Sequence, residues 1–164
     1  MLLDLPTAAR YNRWANARIY KACQLLKADE LALDRKGFFG SILGALNHIL
    51  LADLIYRERL ENKPTTFTRL NEILYEDFKE LQSVHVSQDQ WYVEYCESLN
   101  PSELDNDLSF DTVETGEFFS LPLRACLSNL YEHQIHHRGQ IHHMLSHAQT
   151  DPPPLDFIKF SAGE

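Results

Sequence analysis

The segment Ser41–Leu60 carries Ile42, Leu43, Leu46, Ile49, Leu50, Leu51, Leu54 and Ile55, so a helix formed there is apolar on nearly every side. A helix with one apolar face can lie on a surface. This one has to be enclosed, and the chain must supply other helices to enclose it. Ser41 suits the N-cap, and Asn62 with Pro64 ends the run. Three more helical segments can be read. The first runs from Pro6 to Leu26, with Asp4 or Thr7 as cap and the apolar series Tyr11, Ala15, Ile19, Ala22, Leu25. A charged, then Gly-containing linker, Lys27–Gly40, follows it. The third helix is predicted from Arg69 to Leu99, and its polar, β-branched middle, Val84–Gln90, is where a kink or break would fall. Leu108–Val113 and Glu117–Leu121 alternate around Glu114–Thr115–Gly116, the pattern of a short β-hairpin. Pro122 fits the first turn of the last helix, which continues to Ala148 before Asp151–Pro154 stops it. The expectation is an all-α fold: one domain over residues 1–164, a four-helix bundle with a short β-hairpin between helices three and four.

At 164 residues the chain can bury a core without staples. Its net charge of −9, from 24 acidic and 15 basic residues with no Lys/Arg run, argues against a nucleic-acid partner. Cys23, Cys96 and Cys126 form no CxxC pair and no complete disulfide framework, as expected of reduced thiols in a cytoplasmic protein. MLLDLPTAARYNRW lacks the basic and apolar regions of a secretory leader, and no apolar run approaches the ~18 residues of a membrane span.

Six of the eight histidines fall between Tyr131 and His147. At roughly 100° per residue, His133 lies within roughly 40° of His137, as do Cys126, Leu130, Ile141, Met144 and Ala148. His136, His142, His143 and His147 fall on the border or the solvent face. Two imidazoles one turn apart in an apolar stripe need partners, because an unsatisfied buried polar group costs about 1–3 kcal/mol. A shared metal ion is one solution, and separate hydrogen bonds are another. Cys126 shares the stripe but sits two turns before His133, so core packing is its expected role. Outside this helix only His48 and His85 remain. His85, beside Ser83 and Ser87, is expected to face solvent. His48 lies midway along the most apolar helix with Gly44, Ala45 and Ala52 nearby, small residues that leave a concavity suited to a ligand. A hydrogen bond to a neighbouring helix would also account for it.

The combination SILGALNHILLADLIYRERL with EHQIHHRGQIHHML resembles the DinB/YfiT-like family of bacterial metal-binding four-helix bundles, as do YNRWANARI and DPPPLDFIKF. The resemblance spans nearly the whole chain. It implies an up-down-down-up bundle, a homodimer and a metal triad at His48, His133 and His137, with Arg138, Gly139 and Gln140 completing the last motif. Gly139 is expected to permit close helix approach. The family includes thiol-dependent S-transferases and isomerases.

Three neutral imidazoles leave a divalent ion with uncompensated charge and an open position, the composition of a catalytic site. Zn²⁺ or Ni²⁺ suits such ligands best, with Fe²⁺ or Mn²⁺ as alternatives. Such an ion can activate water against an ester or amide, or a low-molecular-weight thiol against an electrophile. No general base stands out: Glu132 points away from the stripe, and Asp53 and Glu58 read as solvated or paired carboxylates. Asn47 and Gln140 are candidates to hydrogen-bond the ligands. The competing expectation is a non-catalytic metal-binding homodimer of the stress-response kind. In it Tyr11, Trp14 and the hairpin's Phe110, Phe118 and Phe119 line an interface rather than the core.

Overall fold

Four long helices dominate a computed structural model that describes Asp4–Gly163: α1 (Leu5–Cys23), α3 (Ile42–Leu60), α4 (Phe78–Ser98) and α5 (Leu123–Ser146). Met1–Leu3 and Glu164 lie outside the described residues, so the leader expectation falls partly beyond them. The helices start where side chains can cap them. Asp4 accepts from the Thr7 N–H at 2.8 Å, Ser41 from Gly44 at 3.0 Å and Asp77 from Glu80 at 2.8 Å. Helix α1 packs on α4 and α5, and α3 packs on α5 and α4. The all-round apolar segment is enclosed accordingly: Leu46, Ile49, Leu50 and Leu51 have no exposed surface.

Along the helices the core has three layers. One end is apolar, built from Ile19, Tyr20, Leu46, Leu50, Leu81 and Ile141 with their neighbours. The other is apolar too, from Leu5, Ala9, Tyr92, Val93, Leu127 and Leu130. Between them every helix contributes buried polar side chains: Asn12 and Asn16 from α1, Asp53 from α3, His85 and Asp89 from α4, Gln134 and Arg138 from α5. Isolated, each would be costly in an apolar interior. Placed at one level, they satisfy one another, the carboxamide oxygen of Gln134 excepted.

That layer explains two departures from the sequence reading. His85 is fully buried rather than exposed. And α4 runs unbroken through Val84–Gln90, because its polar middle meets the polar middles of the other helices instead of water. A third departure concerns its start. Residues 69–77 are not helical, since their backbone groups bond to side chains: Glu72 accepts from Thr68 and Arg69, and Asn47 Oδ1 accepts from Leu74 at 2.8 Å and Tyr75 at 2.9 Å. The short helices α2 (Ala28–Ala32) and α6 (Phe157–Ser161) and a 3₁₀ turn at Pro101–Asp105 were not foreseen.

The hairpin pairs β1 (Asp107–Asp111) with β2 (Phe118–Pro122) antiparallel, Phe110 opposite Phe119. It packs on α3 and α5. Tyr11 and Trp14 are covered by the chain's own tail: both pack edge-on against Phe160, and the Tyr11 hydroxyl donates to the Leu155 carbonyl at 2.7 Å. Among the described residues no helix is long and apolar enough to cross a membrane.

Candidate metal centre

His48 projects from α3 toward α5, where His133 and His137 occupy successive turns. One ring nitrogen from each of the three lies within 4.8 Å of the others. Neighbours orient two of the three rings. The Nδ1–H of His48 donates to the Leu70 carbonyl at 2.7 Å, leaving its Nε2 lone pair directed inward. Because residues 69–77 are not helical, that carbonyl is free to accept: Leu74, the N–H a helix would send to it, is bound to Asn47 instead. The Asn47 side chain therefore hydrogen-bonds no triad member, contrary to expectation, yet it holds the segment that orients His48. His137 presents Nδ1 to Gln140 Oε1 at 2.9 Å, as expected for Gln140. His133 Nε2 lies 3.1 Å from His48 Nε2, and its buried Nδ1 has no hydrogen-bond partner among the described residues.

The Phe39 ring stacks on His48 with centroids 3.8 Å apart. Gly44 makes this contact available. A Cβ there would sit 2.2 Å from the Phe39 carbonyl oxygen, so only glycine lets the Phe39 backbone settle on α3. Gly44 thus serves close approach rather than a concavity, and Ala45 is packed in the core; of the small residues near His48, only Ala52 borders open space. Gly139 is exposed, and a Cβ there would meet nothing within 4 Å, so no close helix approach depends on its being glycine.

Burial favours the neutral form of all three rings. It lowers the His48 pKa to about 4, with proximity to His137 adding to the effect, and that of His133 to about 3, with His137, His48 and His136 contributing. His137 shifts the same way, again chiefly through burial. At neutral pH the site is a set of unprotonated imidazoles with converging lone pairs. A proton between His48 and His133 would relieve one pair of nitrogens, whereas a divalent cation would satisfy all three. The donor set therefore fits a metal ion.

His136 and His143 are exposed and His142 half-buried, its ring near the Pro153 carbonyl at 3.1 Å. Glu132 is exposed, and Glu58 is occupied by Thr66. Asp53 is neither solvated nor near the triad's open side: it accepts from Gln134 at 2.7 Å and lies 3.2 Å from His85. Asp89 completes a second buried group with them, but this one is internally satisfied. Asn16 donates to Asp89 at 2.9 Å, the Tyr20 hydroxyl pairs with His85 at 2.9 Å, and Arg138 donates to Asn12 and Asn16. Burial raises the Asp89 pKa to about 6, with the Asp53 charge adding to the shift and His85 opposing it. The layer also ties α5 to α3 behind the triad, since Gln134 donates to the Ile49 carbonyl at 2.9 Å. The sequence held a signal for it: Asn12 and Asn16 share a face with Ala8, Ala9 and Ile19.

His48 and His133 border a cavity of about 360 Å³ between α3, α5 and the hairpin, walled by Ala52, Tyr56, Phe110 and Phe119. Cys126 lines it as well, and its thiol pKa is raised by burial. A larger cleft of about 730 Å³, near Leu5, Leu104 and Glu132, contains no histidine. Of the two, only the smaller space borders the triad.

The chain belongs to the DinB family, whose sequence model matches residues 1–164. Its fold is similar to that of a DinB-like protein from Bacillus cereus ATCC 10987 known from a crystal structure. The two are 20% identical with a TM-score of 0.63, over 86% of this chain and 90% of that one. At that identity the likeness concerns the fold alone. No curated protein matches the chain.

Proposed function

We propose that His48, His133 and His137 hold a divalent metal ion, zinc or nickel by preference, and that the chain is a metal-dependent enzyme. On this reading the four long helices form the up-down-down-up bundle of the family. The observation that carries it is the junction of triad and cavity: two of the three histidines border a space large enough for a small molecule. When bound, the ion supplies a Lewis acid that lowers the pKa of a coordinated water or thiol. The protein's own residues do the rest. Leu70 and Gln140 fix the ring orientations, Phe39 closes one face of His48, and the hairpin rings keep water from the substrate. Among the described residues no carboxylate borders the cavity, so none is placed as general base. A thiol, which ionises near neutrality at such an ion without one, suits the site better than water, and S-transfer from a low-molecular-weight thiol is the preferred reaction.

Metal analysis of protein purified without chelator tests the assignment. About one equivalent per chain is expected. His137→Ala should abolish it and His143→Ala should not. Metal retained in the first variant, or lost in the second, refutes the triad. Metal-dependent consumption of a thiol with a model electrophile is then expected. Its absence across thiols would favour a metal-binding homodimer in the cytoplasm, a reading supported by the exposure of Phe38 (88%) and Phe118 (65%).

A further inference from the structure

If the triad is a metal centre, the adjoining cavity receives the substrate, and the class of substrate inferred below for that cavity rests on this reading. One face of α3 runs along the cavity as His48, Ala52, Tyr56 and Arg59, each a turn or less beyond the last. The opposite wall is the Phe110–Phe119 pair of the hairpin. Apart from the histidines at one end, the lining is rich in carbon, and Arg59 is its one cation.

Arg59 is held firmly. Its guanidinium carbon lies 3.9 Å from the Phe110 ring centroid and 5.1 Å from that of Tyr56, and Nη2 donates to the Asp111 carbonyl at 3.2 Å. What it lacks is an anion. Arg10, Arg35, Arg57 and Arg124 each have a carboxylate oxygen within 3.0 Å. No carboxylate pairs with Arg59 among the described residues. The groups that bear on its charge are the phenols of Tyr56 and Tyr92 and the thiol of Cys126, all neutral at pH 7. Arg13, Arg18, Arg69 and Arg138 likewise make no ion pair with a carboxylate among the described residues, and what sets Arg59 apart is that it lines the cavity beside the triad. Leaving a cation partly desolvated and unpaired costs free energy, and its ring contacts offset that only in part. Its Nε and Nη1 remain available to a ligand.

We infer that the substrate is an organic carboxylate with an apolar body. Its carboxylate accepts from Nε or Nη1 of Arg59, its carbon frame lies between Phe110, Phe119 and Ala52, and its reacting end faces His48 and His133. Eleven residues of helix separate His48 from Arg59, roughly 16 Å between their Cα atoms. The same arginine disfavours substrates that carry an ammonium group at that end.

The test uses two nearly isosteric probes, the anion 4-phenylbutyrate and the neutral 4-phenylbutanamide. Their dissociation constants are measured on the full chain by amide chemical-shift titration, with zinc and after chelator treatment. The acid is expected to bind the wild type about tenfold more tightly than the amide. Arg59→Gln should remove that preference while leaving amide binding in place, Arg59→Lys should keep part of it, and Ala52→Phe should weaken both probes by filling the cavity. Equal binding of acid and amide to the wild type, binding of neither, or a preference that survives Arg59→Gln overturns the inference. Since the wild-type comparison is decisive alone, an unstable variant does not shelter the idea. The two readings fail separately. Anion preference without metal uptake sinks only the metal centre, and metal uptake without anion preference sinks only the carboxylate.

Discussion

Replacing Asn47 by alanine separates the role of the 69–77 segment from that of the triad itself. Asn47 is fully buried and makes four hydrogen bonds. Its Oδ1 accepts from the Leu74 and Tyr75 N–H groups, and its Nδ2 donates to the Tyr75 carbonyl at 3.0 Å and to the Leu43 carbonyl at 3.0 Å. The Leu43 carbonyl keeps its intrahelical partner in the variant, so three backbone groups of the segment lose theirs. At about 1 kcal/mol each, somewhat less where water can reach them, Asn47→Ala should cost roughly 2–3 kcal/mol of stability. The informative effect is elsewhere. Freed from Asn47, the segment no longer holds the Leu70 carbonyl against His48 Nδ1, and the ring loses the contact that directs Nε2 inward. Loss of such an orienting partner typically weakens metal binding 10–100-fold. Urea unfolding gives the first quantity, and zinc competition against a chromophoric chelator gives the second. A stability loss of the expected size with zinc affinity unchanged within twofold would refute the claim that this segment governs His48.

Other consequences are equally concrete. Arg138→Met leaves Asn12, Asn16 and two buried carboxylates without their cation, and a loss of about 3–5 kcal/mol is expected from urea unfolding; a loss under about 1 kcal/mol would mean that the polar layer is not energetically coupled. Gly44→Ala places a methyl 2.2 Å from the Phe39 carbonyl oxygen, so the turn must retreat and take its ring off His48. A net cost of about 1–3 kcal/mol should appear as a lower Tm, despite alanine's better helix propensity, and an unchanged Tm would show that the turn yields freely. The pH dependence of zinc binding derives from the lowered imidazole pKa values. A depressed pKa means that His48 and His133 resist protonation below the ordinary value near 6.5, so protons compete for these two ligands only as pH falls toward about 4, the His48 value, while His137 is shifted the same way. Between pH 7 and 5.5 zinc affinity should therefore fall far less than the loss on the order of 500-fold expected of three ordinary histidines. A loss of that size, measured by competition titration, would show that the rings are solvated.

Apolar periodicity marked α1, α4 and α5, all-round apolarity marked α3, and three of the four end at a recognisable stop: Asn62 and Pro64 after α3, Asn100–Pro101 after α4, the proline run after α5. The hairpin was legible from its alternation. Helix α4 misled at both its start and its middle. Residues 69–77 have helical composition, but Asn47 and Glu72 compete for their N–H groups, one of them from a different helix. At Val84–Gln90 polar residues suggested exposure or a break, and no local pattern says that the facing helices carry polar residues at the same height.

The same division applies to the site. Spacing on α5 placed His133 and His137 on one face, and the apolar setting of His48 singled it out, because both are properties of a single helix. That His48 meets the other two, that Leu70 rather than a side chain orients it, and that Arg59 faces a cavity without a counter-charge depend on how separate helices dock. Local sequence determined which residues share a helix face. Tertiary packing decided which faces meet, since that choice rests on side-chain volumes and hydrogen bonds summed across elements far apart in the chain.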